Sequence, residues 1–188
     1  HNVIITEIND IQMQASQITD DLEINSAGIT RLTGNISANS ITTDQLGTTE
    51  IEGTITTINE KIYNDYISLI NASNLSGTNL TLNQPLQGNG QNLTLNFSET
   101  VQTSTITNTN DLTITGQQGI ETENISAQGD IILTSDRFVR VRQGATASDS
   151  SILTTEGSNI TITHGEPIFE VGSSQFNHSG TANKISNE

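Results

Sequence analysis

Residues 4–36 read IITEINDIQMQASQITDDLEINSAGITRLTGNI, and the spacing of apolar residues within this stretch decides the fold expected of the whole chain. Stepping alternately by four and three from Ile4 selects Ile4, Ile8, Ile11, Ala15, Ile18, Leu22, Asn25, Ile29, Leu32 and Ile36, of which only Asn25 is polar. A 3.5-residue apolar period held over this length is the pattern of a coiled-coil seam rather than of one amphipathic helix on a globular core. With Ile4 at d, Ile occupies both a and d positions, which shifts the preference from two strands to three or more. Asn25 stands alone at d, where a polar side chain fixes register at a cost in stability. Gly28 and Gly34 weaken a helix, so the expected trimeric coiled coil covers residues 1–34.

Working outward, residues 35–50 turn to short-period, β-branched character and read as a β-like linker. Helical spacing returns with Ile51, Ile55, Ile58 and Ile62, which extend the trimer seam into a second, shorter coiled coil over 51–73. From residue 74 to 188 the period is two. Leu80-Thr81-Leu82, Leu93-Thr94-Leu95-Asn96-Phe97, Leu112-Thr113-Ile114 and Ile160-Thr161-Ile162 alternate as half-buried strands do. A loose repeat links Asn35-Ile36-Ser37, Asn74-Leu75-Ser76 and Asn124-Ile125-Ser126. Repeated short strands cannot each bury an apolar face alone. They require either a solenoid coiled from one chain or three chains wound together, and the seam of residues 4–36 favours three. The fold class expected is therefore a fibrous homotrimer: coiled coil first, then an all-β intertwined shaft, β-prism or triple β-helix over 74–188.

Composition agrees with a thin, ordered, polar-coated molecule. The chain has 188 residues, 31% hydrophobic, with 26 Ile, four Phe, two Tyr and no Trp. Its formal charge of −15 rests on only six basic residues. Such a surface repels phosphate backbones and anionic headgroups, which argues against nucleic acid and against membrane insertion as partners. The absence of Cys removes disulfides, thiolate metal sites and cysteine nucleophiles.

Chemistry-bearing motifs are sparse. No phosphate loop, dinucleotide fingerprint, nucleophile elbow or zinc-protease helix occurs, and the three His residues are scattered at 1, 164 and 178. No catalytic residue, metal site or cofactor is expected. Glu121 and Glu123, two apart on a strand, could face the same way as a glycosidase pair, but solvent-facing carboxylates are the preferred reading. Arg137, Arg140 and Arg142 are half of the chain's basic residues. They are the candidate ligand-binding cluster, suited to an anionic sugar or a lipopolysaccharide phosphate. The competing reading pairs them with Asp130, Asp136 or Asp149 of a neighbouring chain.

The Ile-rich seam with Asn25 at d, the return to coil spacing at 51–70 and the Ser/Thr/Asn/Gly-rich β repeats of 74–188 together resemble a trimeric viral fibre. Bacteriophage tail fibres, tail spikes and viral receptor-binding spikes are of this kind. The resemblance implies a homotrimer on a virion, outside the cell, in contact with other virion or tail proteins and with a host surface receptor such as a glycan. It implies adhesion without catalysis. A polysaccharide-degrading tail spike and a bacterial trimeric adhesin stalk are the alternatives. Receptor contact is expected toward the C-terminal half, on the arginine cluster and on the turn regions 144–151, 164–167 and 172–180.

Overall fold

The structure, a computed structural model, describes residues 2–147, 160–164, 169–171, 176–178 and 184–187. Among these residues every regular element is a strand and every strand pairing is parallel. Each turn of the chain lays one strand on each of three faces and then returns to the first. Face A carries Val3–Glu7, Leu22–Ser26, Ile41–Thr43, Lys61–Tyr63, Leu80–Leu82 and Thr100–Thr103. Face B begins with Ile11–Met13 and face C with Ser16–Gln17. The long strands Ile29–Ala38, Thr48–Thr57 and Tyr66–Gly77 each bend from face B into face C. The result is a parallel β-solenoid of about seven turns.

Turn length is nearly constant. The step is 19 residues from Leu22 to Ile41 and 21 from Leu80 to Val101. Stacked residues therefore form columns. On face A the inward column runs Leu22, Ile41, Lys61, Leu80, Val101, Ile120 and Val139. On face C it runs Ile36, Ile55, Leu75, Leu95, Ile114 and Leu133, all buried. β-Branched and Leu side chains suit this packing because most sit between two similar apolar side chains on a pleated surface. At the B-to-C bend, Gly34 and Gly53 are register partners with φ of +80° and +91°. A Cβ on Gly53 would lie 2.7 Å from the Gly34 carbonyl oxygen, so the bend needs glycine for both conformation and space.

Two helical expectations are corrected. Residues 4–36 and 53–72 form strands, and no coiled coil exists among the described residues. The seam residues do not share one face. Leu22, Leu32, Ile36, Ile51 and Ile55 are buried, and Ile11 is nearly so, while Ile4, Ile8 and Ile58 are exposed, Ile8 by 79%. Ala15 is exposed, and Ile18, Asn25, Ile29 and Ile62 lie part-exposed. The cause is the bend. Inward residues recur at i, i+2 inside a strand, and each corner resets the phase: Leu22, Ile24, Thr30, Leu32, Ile36, Ala38, Ile41. Steps of three and four sample this mixed series often enough to imitate a heptad. The boundaries read at 34/35, 50/51 and 73/74 each fall inside a strand. As a helix the first 34 residues would span about 50 Å, whereas a solenoid advances only ~4.8 Å per turn, or about 34 Å over seven turns.

Candidate functional site

Three groups of residues stand out from the apolar columns: an ion-pair cluster on face A, a polar group inside the coil, and the outer surface of face C.

The ion-pair cluster joins two features that the sequence offers separately. Glu121 and Arg140 are register partners on adjacent turns of face A, so the carboxylate pair at 121 and 123 and the guanidinium pair at 140 and 142 stack outward on one another. Arg142 Nε donates to Glu121 Oε1 at 2.7 Å, its Nη2 reaches the same oxygen, and Arg140 Nη1 donates to Glu121 Oε2 at 3.3 Å. Arg142 also lies 3.9 Å from Glu123. Arg137 sits exposed on the corner between faces C and A. Within one chain, then, Glu121 pairs with both Arg140 and Arg142. Such partly exposed pairs add little to stability, but they fix where the cations stand. His1, Asp149 and the turn residues of 148–159, 165–168 and 172–175 lie outside the described residues.

The polar residues inside the coil centre on Lys61, Tyr63 and Asp65. Lys61 takes the place of an aliphatic residue in the face A column, between Ile41 and Leu80, and is fully buried. Its Nζ donates to Thr57 Oγ1 at 3.0 Å and to the Ser76 carbonyl, and stands 5.4 Å from the centre of the Phe97 ring. Among the described residues no carboxylate pairs with it, and burial pulls its pKa down from 10.5 to about 7. Asp65 accepts hydrogen bonds from Thr43 Oγ1 at 2.6 Å and Thr49 Oγ1 at 2.7 Å. Burial nevertheless raises its pKa above the ordinary carboxylate value, because desolvation outweighs the two hydroxyls. The Tyr63 hydroxyl is buried without a hydrogen-bond partner, and burial, then the nearby Asp65 charge, raises its pKa well above the usual phenol value. Charge alone argues for a solvent-facing Lys61. The signal that locates it is the 19- to 20-residue spacing of Ile41, Lys61 and Leu80, which puts all three in one column.

The outer surface of face C is a two-column array of uncharged side chains, all polar except Ile132. One column runs Asn35, Thr54, Asn74, Thr94, Thr113 and Ile132; the other runs Gln17, Ser37, Thr56, Ser76, Asn96, Thr115 and Thr134. Neighbouring turns touch through them, as where Thr56 Oγ1 and Ser76 Oγ lie 3.1 Å apart. Shallow grooves border both edges. One is lined by Gly53, Thr54, Ala72, Asn74 and Asn92 at the B-to-C bend, the other by Ile18, Ala38, Thr57 and Ile58 at the C-to-A corner.

No family model matches the chain, and no curated protein or solved structure matches it. The functional reading therefore rests on geometry alone.

Proposed function

We propose that this chain is a structural and adhesive element of an extracellular fibre, of the kind that a virion projects toward its host, and that it works without catalysis. The supporting observation is the uninterrupted stack of parallel turns from Val3 to Val141, in which every turn is pinned to the next on three faces. Ladder hydrogen bonds and interdigitated columns resist both bending and sliding, because a slip of one residue would turn every inward side chain outward. The outward positions are then free to carry contact groups without disturbing the core. Identical copies gathered in a fibre would combine weak contacts into firm attachment.

In this proposal the receptor contact involves Arg137, Arg140 and Arg142, and the ligand class is an anionic sugar or phosphate group. Such a ligand would take over the place that Glu121 holds on Arg140 and Arg142. The assembly of identical copies is kept, but the heptad seam is no longer its cause: the residues that suggested three copies serve the solenoid core or its open surface.

Immunogold labelling tests the reading. Antibody raised against the chain should decorate projections on particles of the source virus, and Fab fragments should reduce adsorption to host cells. Particles that carry no label would contradict it.

A further inference from the structure

Face C is distinguished by what it lacks. The chain carries 21 acidic and six basic residues, yet no ionisable side chain occupies either outward column of face C from Gln17 through Thr134. The outward positions of face A hold Glu23, Asp44, Glu121, Glu123, Arg140 and Arg142. Those of face B hold Arg31, Glu50 and Glu52. Acids are not rare near face C either. Among the described residues they line its rims, with Asp20, Asp21, Glu60, Glu99 and Asp136 against the single cation Arg137 along the C-to-A corner, and Asp111 and Asp130 along the B-to-C bend. Among the described residues, a charge-free strip seven turns long inside a molecule of net charge −15 is a surface that a like-charged copy could cover without burying an unpaired carboxylate.

We infer that face C is the surface on which a second copy of this chain docks, face to face about a two-fold axis. This rests on the reading of the chain as a fibre element built from identical copies. The strip is self-complementary, since hydroxyl and amide groups both donate and accept. Its size suffices. Seven turns at ~4.8 Å by five residues at ~3.3 Å give about 550 Å² per copy, so a pair would bury about 1,100 Å², at the threshold of roughly 1,000 Å² for a specific interface. An interface this small belongs with weak, transient associations rather than permanent ones. The acidic rims meet around the neutral centre, so added salt, which screens them, should tighten the pair. A charge-paired interface would respond in the opposite sense.

Sedimentation equilibrium of the intact chain across micromolar concentrations, at 0.05 M and 0.5 M salt, is the test. The expected result is a monomer–dimer equilibrium that tightens at least several-fold at the higher salt. Thr56→Glu with Thr115→Glu should abolish dimers while leaving the melting curve in place. Thr56→Lys with Thr115→Lys should do the same, which excludes an effect of net charge alone. Thr81→Glu with Gln102→Glu, on face A, should leave dimers intact. A chain that stays monomeric at both salts, or one whose association survives both face C variants, would overturn the inference. So would loss of dimers only in the face A variant. Each of these outcomes leaves the immunogold test of the fibre reading untouched, so the two can fail separately.

Discussion

Replacing Lys61 with Met should raise stability at neutral pH, an unusual result for a buried substitution. The lysine sits in an apolar column with a pKa of about 7, against 10.5 for a free side chain. Below about pH 7 the folded protein must carry a buried ammonium. Between that value and 10.5 the folded state holds it neutral while the unfolded chain binds the proton. Either way the folded state bears a cost, fully developed at and below about pH 7 and fading as the pH approaches 10.5. At about 1.4 kcal/mol per pKa unit, the full cost is roughly 5 kcal/mol. Met would lose the hydrogen bonds to Thr57 and the Ser76 carbonyl and leave the carbonyl without that donor, which offsets about 1–3 kcal/mol. A net gain of about 2–4 kcal/mol is expected in denaturant melts at pH 6–7, shrinking toward and below zero at pH 10. Equal destabilisation at both pH values would show that Lys61 is solvated.

Two isoleucines sixteen positions apart separate the solenoid from a coiled coil. Ile24 lies outside the heptad seam and is fully buried in face A between Ile5 and Thr43, whereas Ile8 is a seam residue and 79% exposed. Ile24→Ala should cost about 2–5 kcal/mol by leaving a cavity in the column. Ile8→Ala should stay within ~0.5 kcal/mol. A helical seam would reverse the order. Urea midpoints of the two variants, compared at unchanged slope, give the answer.

How far the fold could be read from residues alone depended on the segment. Strands at Leu80–Leu82, Leu93–Phe97 and Leu112–Gly116 announce themselves by strict alternation, because there the corners are marked by Asn, Ser, Glu and Asp. Asn35-Ile36-Ser37 and Asn74-Leu75-Ser76 were a true repeat, two turns apart on face C, with Thr54-Ile55-Thr56 between them. Asn124-Ile125-Ser126 was not: it lies on face B, where Ile125 stacks beyond Ile106. In the first half, bends inside long strands mixed periods of two with larger steps, and the sum resembled 3.5. Asn25 was the overlooked clue. It is not a solitary polar layer but the first of Asn25, Asp44, Asn64 and Asn83, spaced 19 to 20 residues apart at the same end of successive face A strands. Asn83 Nδ2 donates to Asn64 Oδ1 at 2.7 Å, as stacked amides do along such ladders.

The candidate sites were less legible, for a physical reason. The sequence shows Glu121, Glu123, Arg140 and Arg142 as two separate motifs, since nothing in their spacing reveals a 19-residue turn that brings Glu121 onto Arg140. Lys61 and Asp65 look like surface residues because charge alone argues for solvent, and only their columns place them inside. The neutrality of face C exists only once the strands are stacked.

That stacking within one chain is the central claim, and the lack of native cysteine makes it directly measurable. Thr56 and Ser76 are register partners on adjacent turns of face C. Neighbouring strands lie ~4.8 Å apart, inside the Cα separation that a disulfide spans. The variant Thr56→Cys with Ser76→Cys, oxidised in dilute solution and run on a non-reducing denaturing gel, should form its bridge within single chains and migrate at monomer mass. Bridges that link chains into dimers and trimers at every dilution would mean that adjacent strands come from different chains, and the solenoid would be wrong.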